Sequence, residues 1–371
     1  MWRSLASNML TVLVVAALGV AGLIGWGQQQ YVSEGPLTEP VCLQVPSGST
    51  MARVATNLSE LGAISNETVY KIGSEYSGKN PRLKAGSFLI SEGASMAEIV
   101  DEITGDGVST CGTQIVYRVS VNRQVKQVRS LDTETQKFET VAEFDPATEE
   151  APEPYTEALN EVGTELSVVF AEGVTSWQVV NALNVSDWFE GDVAELPEEG
   201  SLAPDGYDVR VGTVRTELLR AMEDAQSIRL REAWENRADD APVETPEEAL
   251  ILASIIEKET GVADERPLVA SVFANRLRQG IKLQTDPTVI YGMGDAYKGN
   301  IRRRDLTTDT PYNTYTRYGL PPTPIAMPGE AALRAAANPQ ATKALYFVGK
   351  GDGTHQFSEN LKDHNNAVIK Y

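Results

Sequence analysis

Glu257 closes an apolar run, Leu250-Ile251-Leu252-Ala253-Ser254-Ile255-Ile256, and is followed by Lys258-Glu259-Thr260. A carboxylate at the end of so apolar a segment is costly to keep unless its proton has a use. Desolvation disfavours the charged form and raises the pKa, as a general acid working near neutral pH requires. The residue taken alone also allows a second reading, an exposed glutamate in a last helical turn. Glu259 cannot be its catalytic partner, because positions two apart on a helix point away from each other. It reads instead as facing solvent or paired with an Arg of the next helix. Asp286, in Thr285-Asp286-Pro287, is the other candidate carboxylate. Asp before Pro also reads as an N-cap and first helical residue, here of the segment 288–292.

The element that must carry Glu257 is legible upstream. Thr245-Pro246-Glu247-Glu248 reads as a helix start, with Thr245 as N-cap, Pro246 as first helical residue and Glu248 as the return partner of a capping box. The helix should run to about Thr260 and stop near Gly261. Its apolar residues cover most of the circumference, so it should be buried inside a domain. Gly319-Leu-Pro-Pro-Thr-Pro324 is a rigid loop, φ being fixed at each proline, and could form one wall of a groove. The two histidines, His355 and His364, are not at metal spacing and no Cys lies near them, so neither a metal site nor a cofactor is expected. Arg302-Arg303-Arg304 is a local basic cluster that reads most simply as a solvated loop, with carboxylate binding as the alternative.

Several motifs occur in one order: Glu257-Lys-Glu-Thr260, Asn275-Arg-Leu277, Leu283-Gln-Thr-Asp-Pro-Thr-Val-Ile-Tyr291, Tyr312-Asn-Thr-Tyr315, Gly319-Leu-Pro-Pro322, Leu345-Tyr-Phe-Val348 and His364-Asn365. Together they resemble the endolytic murein transglycosylases, the MltG or YceG-like family, densely over residues 246–371 and more loosely back to about residue 40. The resemblance implies a lytic transglycosylase in which one Glu protonates the oxygen between N-acetylmuramic acid and N-acetylglucosamine. The same Glu then takes the proton of the muramic acid C6 hydroxyl as a 1,6-anhydro ring closes. Carried over, that residue is Glu257. Gln284, Asn313 and Thr314 would read sugar hydroxyl and acetamido groups, and Tyr291, Tyr312 and Tyr315 would offer faces to pyranose rings. Asp286, His355 and Asn365 complete the expected substrate-binding set. The family shows Glu before its His-Asn pair where this chain has Asp363, which weakens any role inferred there.

Composition fits an envelope protein. After Arg3, residues 9–26 carry no charge, about one bilayer crossing in length. The basic residue before and Glu34 after place the N-terminus in the cytoplasm. A cleaved signal peptide is the rival reading. The net charge of −20 is uneven: residues 246–371 hold 15 Lys and Arg against 14 Asp and Glu, so the acidity lies in the rest of the chain and argues against nucleic acid. An internal repeat aligns Gly48, Thr50, Val54 and Leu58 with Gly173, Thr175, Val179 and Leu183. It continues by aligning Phe88, Gly93, Glu98, Ile99 and Val100 with Tyr207, Gly212, Glu217, Leu218 and Leu219.

The expected fold is α+β: an N-terminal transmembrane helix, two small LysM-like α+β modules with the second partial, and a C-terminal α+β catalytic domain. The boundaries are a cytoplasmic tail at 1–8, the anchor at 9–26, a linker at 27–40, the first LysM-like module at 41–107, an acidic insertion at 108–166, a second LysM-like or intermediate module at 167–245, and the catalytic domain at 246–371. Within the insertion, residues 114–144 alternate as strands do, and residues 145–165, rich in Glu and Pro, look like a mobile acidic loop. Cys42 and Cys111 bracket the first module, and outside the cytoplasm a pair is expected to be bonded.

The sequence thus points to a single-pass protein of a bacterial inner membrane with its catalytic domain in the periplasm. Its substrate would be peptidoglycan strands, and the resemblance implies synthases of elongation or division as further partners. Two other readings stay open: a non-catalytic wall-binding scaffold, and a hydrolytic muramidase using Asp286 with Glu257.

Overall fold

The computed structural model describes residues 2–46, 48–105, 111–132, 135, 137–161 and 163–371. The chain divides into two compact units. Residues 1–116, 126–144 and 150–166 form one, and residues 117–125, 145–149 and 167–371 form the other.

The first unit starts with α1 (Trp2–Val32), which extends into what reads in the sequence as linker. It continues through β1 (Val41–Val45), α2 (Met51–Glu60), α3 (Glu67–Tyr76), β2 (Gly86–Ile90) and α4 (Met96–Thr104). β1 and β2 pair antiparallel, Val41 opposite Ile90 and Val45 opposite Gly86. Leu43, Val54, Leu58, Tyr70, Ile99 and Ile103 fill the core beneath them. Side chains fix the helix starts: Thr50 accepts from the Arg53 N–H, and Ser95 and Glu98 form a reciprocal capping box. Gly73 of α3 lets the ring of Tyr31 lie against its Cα, where a Cβ would collide. Cys42 and Cys111 are disulfide-bonded, their Cα atoms 5.7 Å apart.

Among the described residues no helix is long and apolar enough to cross a membrane. The expected span begins within residues 1–12, whose side chains lie outside the described set. Within the described part of α1, Leu13, Val14, Val15, Leu18, Val20, Leu23, Ile24 and Trp26 are all exposed.

The alternating segment forms β3 (Thr113–Val119), β4 (Gln124–Asp132) and β5 (Lys137–Phe144), with β4 and β5 antiparallel and a register shift between Val128 and Arg129. The segment expected as a mobile acidic loop differs from that reading. Residues Glu153–Asn160 form α5, with Pro152 at its N-cap. Tyr155 explains why: it is buried, its ring lies 4.9 Å from that of Phe144, and its hydroxyl accepts from Lys126 Nζ at 2.8 Å. Acidic composition reported the outer face of this helix and hid its two buried anchors, Tyr155 and Ala158.

The second unit contains β6 (Glu165–Phe170) from residue 167 on, α6 (Ser176–Val185), β7 (Phe189–Glu190), β8 (Gly206–Val209), β9 (Thr213–Val214) and α7 (Arg215–Glu235). There follow α8 (Pro246–Glu259), α9 (Arg266–Arg278), α10 (Asp286–Met293), α11 (Arg303–Thr307), α12 (Glu330–Ala337), β10 (Tyr346–Gly349), β11 (His355–Ser358) and α13 (Leu361–Lys370). The residues of the repeat hold equivalent local positions in both copies. Gly48 and Gly173 have φ of 76° and 81°, Thr50 and Thr175 cap a helix, and Val54, Leu58, Val179 and Leu183 are buried. The copies diverge in the middle, where the second has no counterpart of α3 and instead pairs β7 with β9 in parallel.

The core that seats the candidate site surrounds α8. Leu252, Ala253, Ile255 and Ile256 are completely buried, each isoleucine stabilising the fold by roughly 1.5–3 kcal/mol. The facing helix, α12, contributes Ala332, Leu333, Ala335, Ala336 and Ala337, and these small side chains let the two axes approach closely. β10 and β11 form an antiparallel hairpin, Tyr346 opposite Ser358.

Candidate active site

α8 starts as its sequence implies. Thr245 accepts from the Glu248 N–H at 3.2 Å, and Pro246 needs no donor there. The Glu248 carboxylate, however, accepts from the N–H of Glu244 at 2.7 Å, so the return bond falls one residue before the N-cap. The helix ends at Glu259 with Thr260 extended, and Gly261 is not needed as a left-handed stop.

Glu257 lies at this end with its side chain 5% exposed. One oxygen, Oε2, accepts from the N–H of Gly329 at 3.0 Å; Gly329 is the N-cap of α12. The other, Oε1, is 3.6 Å from Nη2 of Arg266 at the start of α9. Burial pushes the Glu257 carboxyl above the ordinary carboxylate range. The Gly329 N–H and Arg266 oppose that, and the charge of Glu172 adds to it. A buried carboxyl that keeps its proton is what a general acid requires.

The walls around it are loops zipped together by backbone bonds. Gly173 N–H donates to Met327 O at 2.9 Å and Met327 N–H to Val174 O at 2.8 Å. Ile325 N–H donates to Ser254 Oγ of α8 at 3.0 Å, which lays the proline-rich loop along the helix. Buried Gln226 of α7 donates to both Gly200 O and Pro328 O. Lys258, beside the candidate acid in sequence, donates to Gly173 O at 3.0 Å. Burial lowers the Lys258 pKa, while Glu257 and Glu199 raise it. Glu199 is itself raised by burial and accepts from Ser176 N–H and from the Tyr291 hydroxyl, at 2.9 and 3.2 Å.

Glu259 points elsewhere, as the two-residue offset demands; it does not face solvent, and Arg276 of α9 acts on it as a nearby opposite charge. It is buried and accepts from Thr285 Oγ1, and desolvation raises its pKa. Thr285 in turn belongs to a hydroxyl network. Its N–H donates to Thr314 Oγ1 at 3.1 Å, and Thr288 Oγ1 bonds Thr285 O at 2.8 Å and Thr314 Oγ1 at 2.9 Å. Glu259 therefore braces the segment that carries Gln284 and Asp286. Gln284 is exposed, and among the described residues it is the one non-glycine with positive φ, 49°, held by its N–H to Thr314 O.

Asp286 is not an N-cap. Thr285 occupies that position, Asp286 is the first residue of α10, and its Oδ1 accepts from the Tyr315 hydroxyl at 2.6 Å. Pro287 at the second helical position explains the misreading, because it is compatible with either frame. Asn313 and Thr314 are 1% and 2% exposed. The Asn313 amide donates to the carbonyls of Asp305, Leu306 and Thr308 and its oxygen accepts from Tyr315 N–H, so this side chain shapes its own loop.

Tyr291 and Tyr312 meet edge to face, 5.0 Å apart, and the Tyr312 hydroxyl bonds Thr323 Oγ1 at 2.8 Å. His355 Nδ1 lies 2.7 Å from Glu265 Oε2, with the ring against Phe347. Burial works against Glu265, yet the His355 N–H and ring hold its carboxyl below the usual range. Asn365 is exposed on α13, where neighbouring His364 stacks on Tyr346. Asn275 and Arg276 are braces. The Asn275 amide donates to Thr342 O and Ala344 O, and Arg276 to Leu345 O and Leu283 O. Arg302, Arg303 and Arg304 are exposed.

The sequence model of the YceG-like family matches residues 43–370. The chain belongs to the YceG-like family. It is 30% identical over 335 residues to the endolytic murein transglycosylase of Bacillus subtilis, covering 89% of this chain and 84% of that protein. It is 25% identical to the endolytic murein transglycosylase of Streptococcus pneumoniae strain D39, covering 98% of this chain but 65% of that longer protein. A crystal structure of a putative YceG-like protein from Listeria monocytogenes is similar at a TM-score of 0.47 and 23% identity, covering 89% of this chain and 99% of that one.

Two residues of this YceG-like site escape a reading of motifs. Glu172, in the loop before α6, has its Oε2 3.4 Å from the same Arg266 Nη2 that meets Glu257. Glu199 holds the Tyr291 hydroxyl. A signal for the first existed: at the repeat position just before the aligned glycines, the first copy has Ser47 and the second Glu172. For Glu199, in an acidic Pro-Glu-Glu-Gly stretch, no signal set it apart.

Proposed function

We propose that this YceG-like protein is an endolytic murein transglycosylase. It cuts the bond between N-acetylmuramic acid and N-acetylglucosamine within nascent glycan strands and leaves 1,6-anhydro ends. The observation that carries the reading is Glu257, a desolvated carboxyl with a backbone N–H on one oxygen, whose burial favours its protonated form. The names of the Bacillus and Streptococcus relatives agree with it. Glu257 gives its proton to the glycosidic oxygen as the C1–O bond breaks, and N-acetylglucosamine leaves as an alcohol. The Glu257 carboxylate then accepts the proton of the C6 hydroxyl as that oxygen bonds to C1. The acid is regenerated, and water is not a reactant.

The chain is anchored in the bacterial inner membrane by the segment 9–26, with its N-terminus in the cytoplasm and its catalytic domain in the periplasm; the exposed apolar side chains from Leu13 to Trp26 support the anchor. Residues 41–107 and the partial second copy act as LysM-like modules that hold glycan, and synthases of elongation or division are the partners such a position implies. Resistance of the full chain to alkaline extraction from membranes tests the anchor.

A second reading is favoured by one contact. Hydrolysis needs two carboxyls, separated by about 5 Å in retaining and about 6.5–9.5 Å in inverting enzymes. The carboxylate that shares a cation with Glu257 is Glu172, not Asp286. Mass analysis of ends released from peptidoglycan by the purified chain separates the readings. Anhydro ends are one water lighter than hydrolytic ends, and a binding scaffold releases neither.

A further inference from the structure

Arg266 beside Glu257 presents a difficulty for a general acid. A guanidinium in contact with a carboxyl favours its ionised form and would strip the proton that the reaction consumes. The structure contains a counterweight. Arg266 Nη2 is 3.6 Å from Glu257 Oε1 and 3.4 Å from Glu172 Oε2, and Arg266 Nε is buried without a hydrogen-bond partner among the described residues. Its cationic contacts are therefore divided between two carboxylates, the buried one and one whose side chain is 43% exposed. We propose that Glu172 is a positioning residue of the reaction, competing with Glu257 for Arg266 so that the hold of the guanidinium on the Glu257 carboxyl is weakened while its orientation is kept. This rests on the assignment of Glu257 as the acid.

The backbone that carries Glu172 is fixed in place. Its loop is pinned on both sides: Ala171 N–H donates to Val119 O, Gly173 N–H to Met327 O, and Lys258 Nζ to Gly173 O. Gly173 takes the turn at φ 81°, which a side chain would strain. The residue that donates to Glu257, Gly329, also makes room for Glu172, because a Cβ on Gly329 would fall within the Glu172 carboxylate. One glycine thus admits the neighbour and orients the acid. The other groups facing Glu257 are Arg266 from α9, the N–H at the start of α12, and Lys258 from its own helix, with Glu199 facing Lys258. Among these Glu172 is the nearby negative charge, and it acts in the same sense as burial.

The test is the pH profile of kcat/KM for glycan cleavage by the full chain in detergent, comparing wild type with Glu172→Gln, Glu172→Asp and Arg266→Gln. Glu257 must be protonated, so activity falls on the alkaline side as it ionises. Glu172→Gln removes a negative neighbour, and the alkaline limb should move to lower pH by roughly half to one pH unit. Glu172→Asp should restore most of the wild-type limb, Arg266→Gln should move it upward, and released ends should stay anhydro throughout. An unmoved or raised limb in a folded Glu172→Gln variant overturns the proposal. So do hydrolytic ends in wild type together with an inactive Glu172→Gln variant, because Glu172 would then be a reacting base. Glu257→Gln run alongside keeps the two claims apart: if it cleaves normally, the acid is misassigned, whereas if it is inactive and the limb does not respond to Glu172, only this inference fails.

Discussion

Replacing Glu257 by Gln removes one proton and little else. The amide oxygen can still accept from the Gly329 N–H, and the side chain keeps its length between α12 and Arg266. Proton transfer by a positioned side chain contributes about 10²–10⁴-fold to a rate. Here one carboxyl serves as acid and then as base, so the loss should reach at least ~10³-fold. Stability should respond in the opposite sense. Burial raises the folded pKa of Glu257 above its ordinary value of 4.5. The wild type therefore loses stability as pH rises from 4.5 through the folded pKa, and a residue that does not titrate escapes this. The Gln variant should gain on wild type over that window by about 1.4 kcal/mol per pH unit of elevation, with little screening to discount because the side chain is 5% exposed. The assays are release of anhydro ends from purified peptidoglycan and denaturant unfolding of both proteins at pH 4 and pH 8. Turnover within tenfold of wild type, or a Gln variant that loses ground as pH rises, would refute the reasoning.

Asp286→Asn should keep activity within about tenfold and cost roughly 1 kcal/mol or less, because the Asn oxygen can still accept from Tyr315; the same cleavage and unfolding assays check it. Gly329→Ala places a methyl group where the Glu172 carboxylate lies, so that this flexible, 43% exposed side chain must swing away from Arg266; stability should fall by about 1 kcal/mol or less while the alkaline limb of cleavage moves to lower pH, read from thermal unfolding and the pH profile of end release. Replacing Cys42 and Cys111 together by Ser frees a loop whose ends are 69 residues apart and should cost the first unit on the order of 4 kcal/mol, visible as a lower unfolding midpoint matched by reducing the wild type.

Local chemistry was readable from the residues. The apolar run before Glu257, the Thr-Pro-Glu-Glu start and the repeat of glycine, threonine and buried aliphatics depend on backbone preferences and burial within one element. α8, its cap and the twin strand–helix units therefore stand where the sequence puts them. The opposite faces of Glu257 and Glu259 follow from helix geometry alone. What each carboxylate meets depends on elements far apart in the chain, and only their packing decided it. Glu259 found Thr285, Asp286 found Tyr315, and the Asn313 amide was consumed by its own loop. Polar side chains lose solvation on burial, so they take whichever partners the fold brings near, and residue type does not name those partners in advance. Glu172 is the sharpest case. The repeat marks it as a departure from Ser47, but its place beside Glu257 exists only because Gly329 leaves the space and Arg266 reaches both.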